Sequence, residues 1–200
     1  MTTDDHQIGT VYEAIADWFD ENRAKNLFEK PYLETLLQHI RPNPTVLDLG
    51  CGSGEPIARF LIERGCHVTG VDGSSNMIAM CRERFPNMEW MQADMCTLQL
   101  NRQFDAVIAW DSFFHLPHEA QRGMFPIFAA HSLPGGLLLF NSGTEHGVAY
   151  GEMDGHTVYH ASLDSDEYRS LLEENGFDVL SHTINDPACG GRTVWLAKKQ

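Results

Sequence analysis

The sequence predicts an α/β fold built on a doubly wound, mainly parallel sheet, and three observations predict it. From Thr45 onward, strand-like apolar runs alternate with helical patterns, the order that buries a parallel sheet between two helical layers. One apolar strand, Val46-Leu47-Asp48-Leu49, runs into glycines at alternate positions, Gly50, Gly52 and Gly54. About twenty residues further on, Val68-Thr69-Gly70-Val71 ends on the carboxylate of Asp72.

Each element follows from its own pattern. Val11, Ile15, Trp18 and Phe19 fall at helical spacing and predict one amphipathic helix, with Trp18 on its core side. Pro31 suits the first turn of a second helix with Leu33, Leu36, Leu37 and Ile40 on its apolar face, and Pro42 and Pro44 end it. Strands are expected near 45–49, 67–71, 88–92, 105–110 and 136–141, with helices near 55–64, 75–84 and 117–131. Asp154-Gly155 is a hairpin signal. Asp164 and Glu167 form a capping-box pattern before Tyr168, Leu171 and Leu172, and Gly176 closes that helix. Phe177 to Thr183 and Thr193 to Ala197 read as two final strands, whose short connection permits an antiparallel pair and no helical crossover. With no repeat, low-complexity segment or linker, the expected organisation is one domain over 1–200, with a helical segment at 1–44 and the sheet core at 45–200.

Composition narrows the partners. Fourteen basic residues against 28 acidic ones give a net charge of -14, the wrong sign for holding phosphates, so nucleic acid is not expected. The five cysteines, Cys51, Cys66, Cys81, Cys96 and Cys189, are scattered and odd in number, which argues against a disulfide framework and against zinc. Met1 to Gln7 is polar and acidic, unlike a signal peptide. The longest apolar run, Leu137 to Phe140, is far too short to span a bilayer. A cytoplasmic protein with no membrane partner is the expectation.

Glycines after a strand let a ligand approach the backbone without meeting a Cβ, and an acid at the tip of the next strand suits a ribose diol. Dinucleotides and S-adenosylmethionine both use such a site. The dinucleotide fingerprint places glycine at its sixth position, where this chain has Glu55, and a carboxylate there would face the pyrophosphate. S-adenosylmethionine carries no phosphate, so the comparison favours it.

At these residues the chain resembles the class I S-adenosylmethionine-dependent methyltransferases of the small-molecule type. Val46 to Gly54 matches the first motif, Gly70-Val71-Asp72-Gly73-Ser74 the second and Gln92-Ala93-Asp94 the third. Phe104 to Ile108 with His115-Leu116 matches the fourth, and Leu133-Pro134-Gly135-Gly136 the fifth. The resemblance implies a Rossmann-like sheet of seven strands, mostly parallel, with the last antiparallel. It implies that Asp48, Gly50, Cys51, Gly52 and Gly54 form the loop around the methionine part of the cofactor, and that Asp72 takes the ribose, with Ser74 competing as the helix N-cap. Asp94 would hold the adenine amino group, with Gly73, Met77 and Met95 nearby, while Trp110 and Asp111 lie near the sulfonium. Tyr12 and Arg23 would close over the cofactor from the N-terminal segment, although Arg23 also fits a solvated face.

His115, five residues beyond the fourth strand, is the candidate general base, and capping or packing of the next helix is its other reading. His115 and His118 show no third ligand, so no metal is expected. Asp111-Ser112-Phe113-Phe114 lacks the Asn/Asp-Pro-Pro-Tyr/Phe segment of base-methylating enzymes. The segment Asn141 to Ser162, with Glu145, His146, Tyr150, His156, Tyr159 and His160, is expected to shape the acceptor pocket, or else to form a surface excursion or a dimer contact. The expected function is methyl transfer to a small-molecule acceptor by a monomer or homodimer. A non-catalytic S-adenosylmethionine-binding protein and a nicotinamide-dependent oxidoreductase are the rival readings.

Overall fold

The computed structural model describes residues 7–200, so the reading of Met1 to Gln7 falls, apart from Gln7, outside the described residues. Two short helices, α1 (Gln7–Ala14) and α2 (Ala16–Asn22), precede α3 (Lys30–Gln38). The alternating core follows as β1 (Thr45–Leu49), α4 (Ile57–Ile62), β2 (His67–Asp72), α5 (Ser75–Arg84), β3 (Glu89–Gln92), β4 (Phe104–Ala109), α6 (His118–His131) and β5 (Ser132–Ser142). A hairpin of β6 (Gly147–Met153) and β7 (His156–Ser162) leads to α7 (Ser165–Glu174), β8 (Phe177–Asp186) and β9 (Arg192–Lys199).

Seven strands form one sheet in the order β3-β2-β1-β4-β5-β9-β8. Strands β1 to β5 pair in parallel, whereas β9 lies between β5 and β8 and runs antiparallel to both. The expected sheet is therefore present, and β9 is its reversed strand. The order turns back at β1, which has β2 on one side and β4 on the other, opening a crevice beyond their carboxyl ends.

Alternation along the strands builds two cores. Val46, Val68, Ala106, Ile108, Leu139 and Leu196 face α3, α4 and α5, while Leu47, Leu49, Val71, Val107, Phe140 and Trp195 face α6 and α7. Burial on both faces leaves the strand tips as the accessible part of the central sheet. At the opposite edge, Asp105 of the fourth motif accepts two bonds from Arg41 and two from Thr45, tying α3 to the sheet far from the crevice.

The single N-terminal helix expected over Val11 to Phe19 is two helices. Ile15 leaves helical geometry at φ -103 and ψ 15, and the chain turns there. The turn buries Ile15 and Ala16 but swings Trp18 outward to 36% exposure, so Trp18 is not a core residue. None of the described helices is long and apolar enough to cross a membrane.

Candidate active site

The glycine loop and the acid after β2 form one unit. Gly52 N–H donates to Asp72 Oδ2 at 2.9 Å, and Ser74 N–H donates to Asp72 Oδ1 at 2.9 Å. Ser74, not Asp72, caps α5, its hydroxyl accepting from Met77 N–H at 3.2 Å. Burial pushes the Asp72 carboxyl above its ordinary value, against the pull of those N–H donors.

The three glycines do different work. A Cβ on Gly50 would sit 2.2 Å from Ser112 Cβ, so this glycine lets the loop after β1 close on the segment after β4. Ser112 completes that join by donating its hydroxyl to Leu49 C=O at 2.6 Å. A Cβ on Gly54, at φ +80, would meet the Phe85 ring at 2.9 Å, so this glycine seats the loop on α5. A Cβ on Gly52 would have only the Phe19 ring near it, at 3.9 Å. Gly52 and Gly73 are the positions left open for a ligand.

A cavity of about 700 Å³ lies beyond these strand ends, within the range of about 300–1,000 Å³ typical of small-ligand pockets. Its wall brings together Tyr12, Arg23, Gly50, Cys51, Gly52, Asp72, Gly73, Met77, Asp94, Met95, Trp110, Asp111 and His115. Asp48, Gly54 and Ser74 stand one layer behind it, each for a reason in its packing. Gly54 is turned to Phe85, and Ser74 is occupied as a cap and as a donor to Glu13. Asp48 is buried beneath the loop, and burial pushes its carboxyl up to about 7 while the Arg23 charge acts the other way. Asp94 caps the turn Met95–Thr97 through a 2.8 Å bond from Cys96 N–H.

The far wall is a charge network. Asp111, in left-handed backbone at φ 47, accepts from Arg192 Nε and Nη2 at 2.8 and 2.7 Å and from Asn141 Nδ2 at 2.8 Å. Burial alone would raise this carboxyl, but Arg192, Arg23 and Asn141 outweigh it and hold it below the usual range. Arg23 lines the cavity and lies 3.9 Å from the buried Glu29. Arg23 Nε and Trp110 Nε1 are buried donors with no partner among the described residues.

His115 closes a chain that begins on the hairpin. Its Nδ1 lies 2.8 Å from Tyr159 C=O, which only accepts, so Nδ1 carries the proton. Nε2 is then an acceptor, and the Tyr12 hydroxyl donates to it at 3.0 Å. Burial lowers His115 to about 4 and is also the largest influence raising Tyr12 to about 12. The hairpin signal at Asp154-Gly155 is a real turn between β6 and β7, but none of Glu145, His146, Tyr150, His156, Tyr159 and His160 lines the cavity. The hairpin supports Tyr12 and His115 from behind, and Tyr150 stays 62% exposed.

A family model described as a methyltransferase domain matches residues 46–136, the stretch that carries the glycine loop, Asp72, Asp94 and His115. Over these residues the chain is similar to methyltransferase domains. It is similar to a trans-aconitate 2-methyltransferase of Azoarcus sp. (strain BH72), 38% identical over 96 residues, covering 47% of this chain and 37% of that protein. It is also similar to a dTDP-3-amino-3,4,6-trideoxy-alpha-D-glucopyranose N,N-dimethyltransferase of Streptomyces venezuelae, 30% identical over 159 residues, covering 74% and 64%. The chain thus spans less than two thirds of the length of these curated relatives. The fold matches that of a SAM-bound amino pentose methyltransferase from Micromonospora echinaspora, with a TM-score of 0.72 at 19% identity, covering 95% and 97%.

Sequence reasoning missed Arg192, Asn141, Glu29 and Glu13 as parts of this site. Arg192, Asn141 and Glu13 each act on a residue 30 or more positions away, and no local spacing announces such a pair. Phe19, Ser112 and Glu119 also line the cavity. Phe19 carried a signal, since it is the apolar residue next to exposed Trp18, but the break at Ile15 decides which of the two turns inward.

Proposed function

We propose that this cavity binds S-adenosylmethionine and that the protein transfers its methyl group to a small-molecule acceptor. The observation that carries the reading is the pairing of an open glycine with an acid on one scaffold. Gly52 and Gly73 leave backbone uncovered beside Asp72, whose two oxygens are aimed by main-chain N–H groups. The remaining lone pairs of Asp72 suit the ribose hydroxyls, and Asp94, Met95 and Met77 on the same wall suit the adenine. Arg23, with its unpartnered buried Nε, suits the carboxylate of the amino-acid end. Asp48, buried and raised toward neutrality, gains most from the cationic amino group of the same end.

The wall opposes a dinucleotide. Glu55, Asp72, Asp94, Asp111 and Glu119 line it, against the guanidinium of Arg23, and pyrophosphate would meet that field unpaired. When bound, S-adenosylmethionine supplies an activated methyl on a positive sulfur. The protein's task is orientation, worth roughly 7–11 kcal/mol at the upper end. Trp110 and Asp111 at the end of β4, with Tyr12 and His115, form the acceptor side of the wall. His115 at about 4 is neutral at pH 7 and weakly basic, so its part is to fix the Tyr12 hydroxyl. Such a site suits an acceptor that attacks without first losing a proton.

Calorimetric titration of one ligand-free preparation with S-adenosylmethionine, S-adenosylhomocysteine and NAD tests the reading. Micromolar binding of both sulfur nucleosides without a response to NAD is expected. NAD binding alone would overturn it.

A further inference from the structure

The N-terminal strap α1–α2 is pinned to the rest of the protein at two carboxylates. Glu13 accepts from Ser74 Oγ and Ser75 Oγ at 2.5 Å each and from Asn76 N–H at 3.1 Å, and its own C=O accepts from Asn76 Nδ2 at 3.0 Å. Asp20 accepts both terminal nitrogens of Arg84, each at 2.6 Å. The two anchors therefore grip the two ends of α5.

What these anchors hold is more telling than the anchors themselves. Ser74, under Glu13, donates its N–H to Asp72. Arg84, under Asp20, donates to Ser53 C=O of the glycine loop at 3.4 Å. Each carboxylate on the strap is thus one residue away from one half of the nucleoside site. Apolar burial does little of the holding, because Ile15 and Ala16 are the buried residues of this stretch and Trp18 is exposed. The strap also gives Ile8, Tyr12, Phe19 and Arg23 to the cavity wall, so a ligand there touches the strap and both halves of the site at once.

We propose that Glu13 and Asp20 are positioning residues that couple docking of the N-terminal strap to the grip of the site on its nucleoside. The proposal rests on the cofactor reading above. Docking holds Ser74 and Arg84, and through them Asp72 and the glycine loop, in the arrangement that retains the ligand. A bound nucleoside in turn holds the strap down, because coupling between two sites is reciprocal. Release of the ligand then waits on undocking.

The test is stopped-flow binding of S-adenosylhomocysteine, followed by tryptophan fluorescence, with hydrogen exchange over residues 7–22 with and without ligand. The proteins compared are the unaltered chain, E13Q, D20N and E13Q/D20N. Dissociation from the double variant should be roughly tenfold faster or more, with association little changed, as for most substitutions that loosen a formed complex. Ligand-induced protection of residues 7–22 should be lost while that of β1 and β2 remains. A merely structural role would lower the fraction of active protein and leave the dissociation rate alone. E13Q and D20N alone should each speed dissociation by a smaller factor, and they keep the proposal testable if the double variant folds poorly. Dissociation within about twofold of the unaltered protein, with protection retained, overturns the proposal. If the unaltered chain does not bind S-adenosylhomocysteine, the cofactor reading falls and takes this proposal with it.

Discussion

The floor of the cavity and its cover are held by different forces. The floor is the carboxyl edge of β1, β2 and β4, where fully buried strands end in loops fixed by main-chain bonds such as Gly50 N–H to Val71 C=O at 2.7 Å. Its shape follows from the packing of two cores. The cover is the strap α1–α2 with the β6–β7 hairpin behind it, and its contacts are mainly hydrogen bonds and ion pairs of part-buried side chains. Packing specifies a surface whether or not a ligand is present, whereas polar contacts at the surface are individually weak and come apart readily. On the proposed function, the floor selects the cofactor, and on the further proposal the cover governs its retention.

Substitutions at the floor should cost stability in proportion to packing. Phe113 lies at the centre of the aromatic cluster of Phe125, Phe128, Phe140 and Tyr168, so Phe113→Ala should destabilise by about 3–5 kcal/mol in urea unfolding. Trp18→Ala on the cover should change stability by no more than about 0.5 kcal/mol. Equal losses at the two positions would erase the distinction between floor and cover.

The glycine loop divides the same way within five residues. Gly50→Ala forces a Cβ into Ser112 and should cost about 3 kcal/mol or more. Gly52→Ala meets open space at φ +53 and should cost about 1–2 kcal/mol of stability while abolishing measurable S-adenosylhomocysteine binding. A Gly52→Ala protein that binds normally would show that the ligand does not approach there.

The junction of floor and cover carries a pH signature. His115 titrates near 4 in the folded protein against an ordinary value of 6.5, because burial disfavours its charged form. The unfolded chain binds the proton first, so this contribution is complete above pH 6.5 and stability falls as pH drops from there toward 4. The loss is on the order of 3 kcal/mol. His115→Gln should flatten unfolding free energy over that window, and an unchanged slope would place the titration elsewhere.

The difference between the regions also explains what was legible in the sequence. Alternating strands and the Gly50-to-Gly54 spacing are local patterns, and the floor is assembled from local patterns in order. The parallel core and the antiparallel final pair followed from them, whereas the seven-stranded sheet with its last strand reversed was what the family resemblance implied, and the position of β9 between β5 and β8 was not read. The cover was read less well. A single φ/ψ departure at Ile15 split the first helix and exposed Trp18, and amphipathic spacing is blind to such a break. The hairpin was visible from Asp154-Gly155, but its docking on His115 through a backbone carbonyl leaves no mark on side-chain identity. Asp111 was marked as a site residue, yet the Arg192 that holds it lies 81 positions away.

The central claim is that Asp72 grips a ribose beside the open glycine, and calorimetry of S-adenosylhomocysteine with the unaltered protein and Asp72→Ala tests it most directly. The account predicts affinity lower by about tenfold or more, a loss of about 1.4 kcal/mol, with an unchanged circular dichroism spectrum. Equal affinity in the two proteins would contradict it.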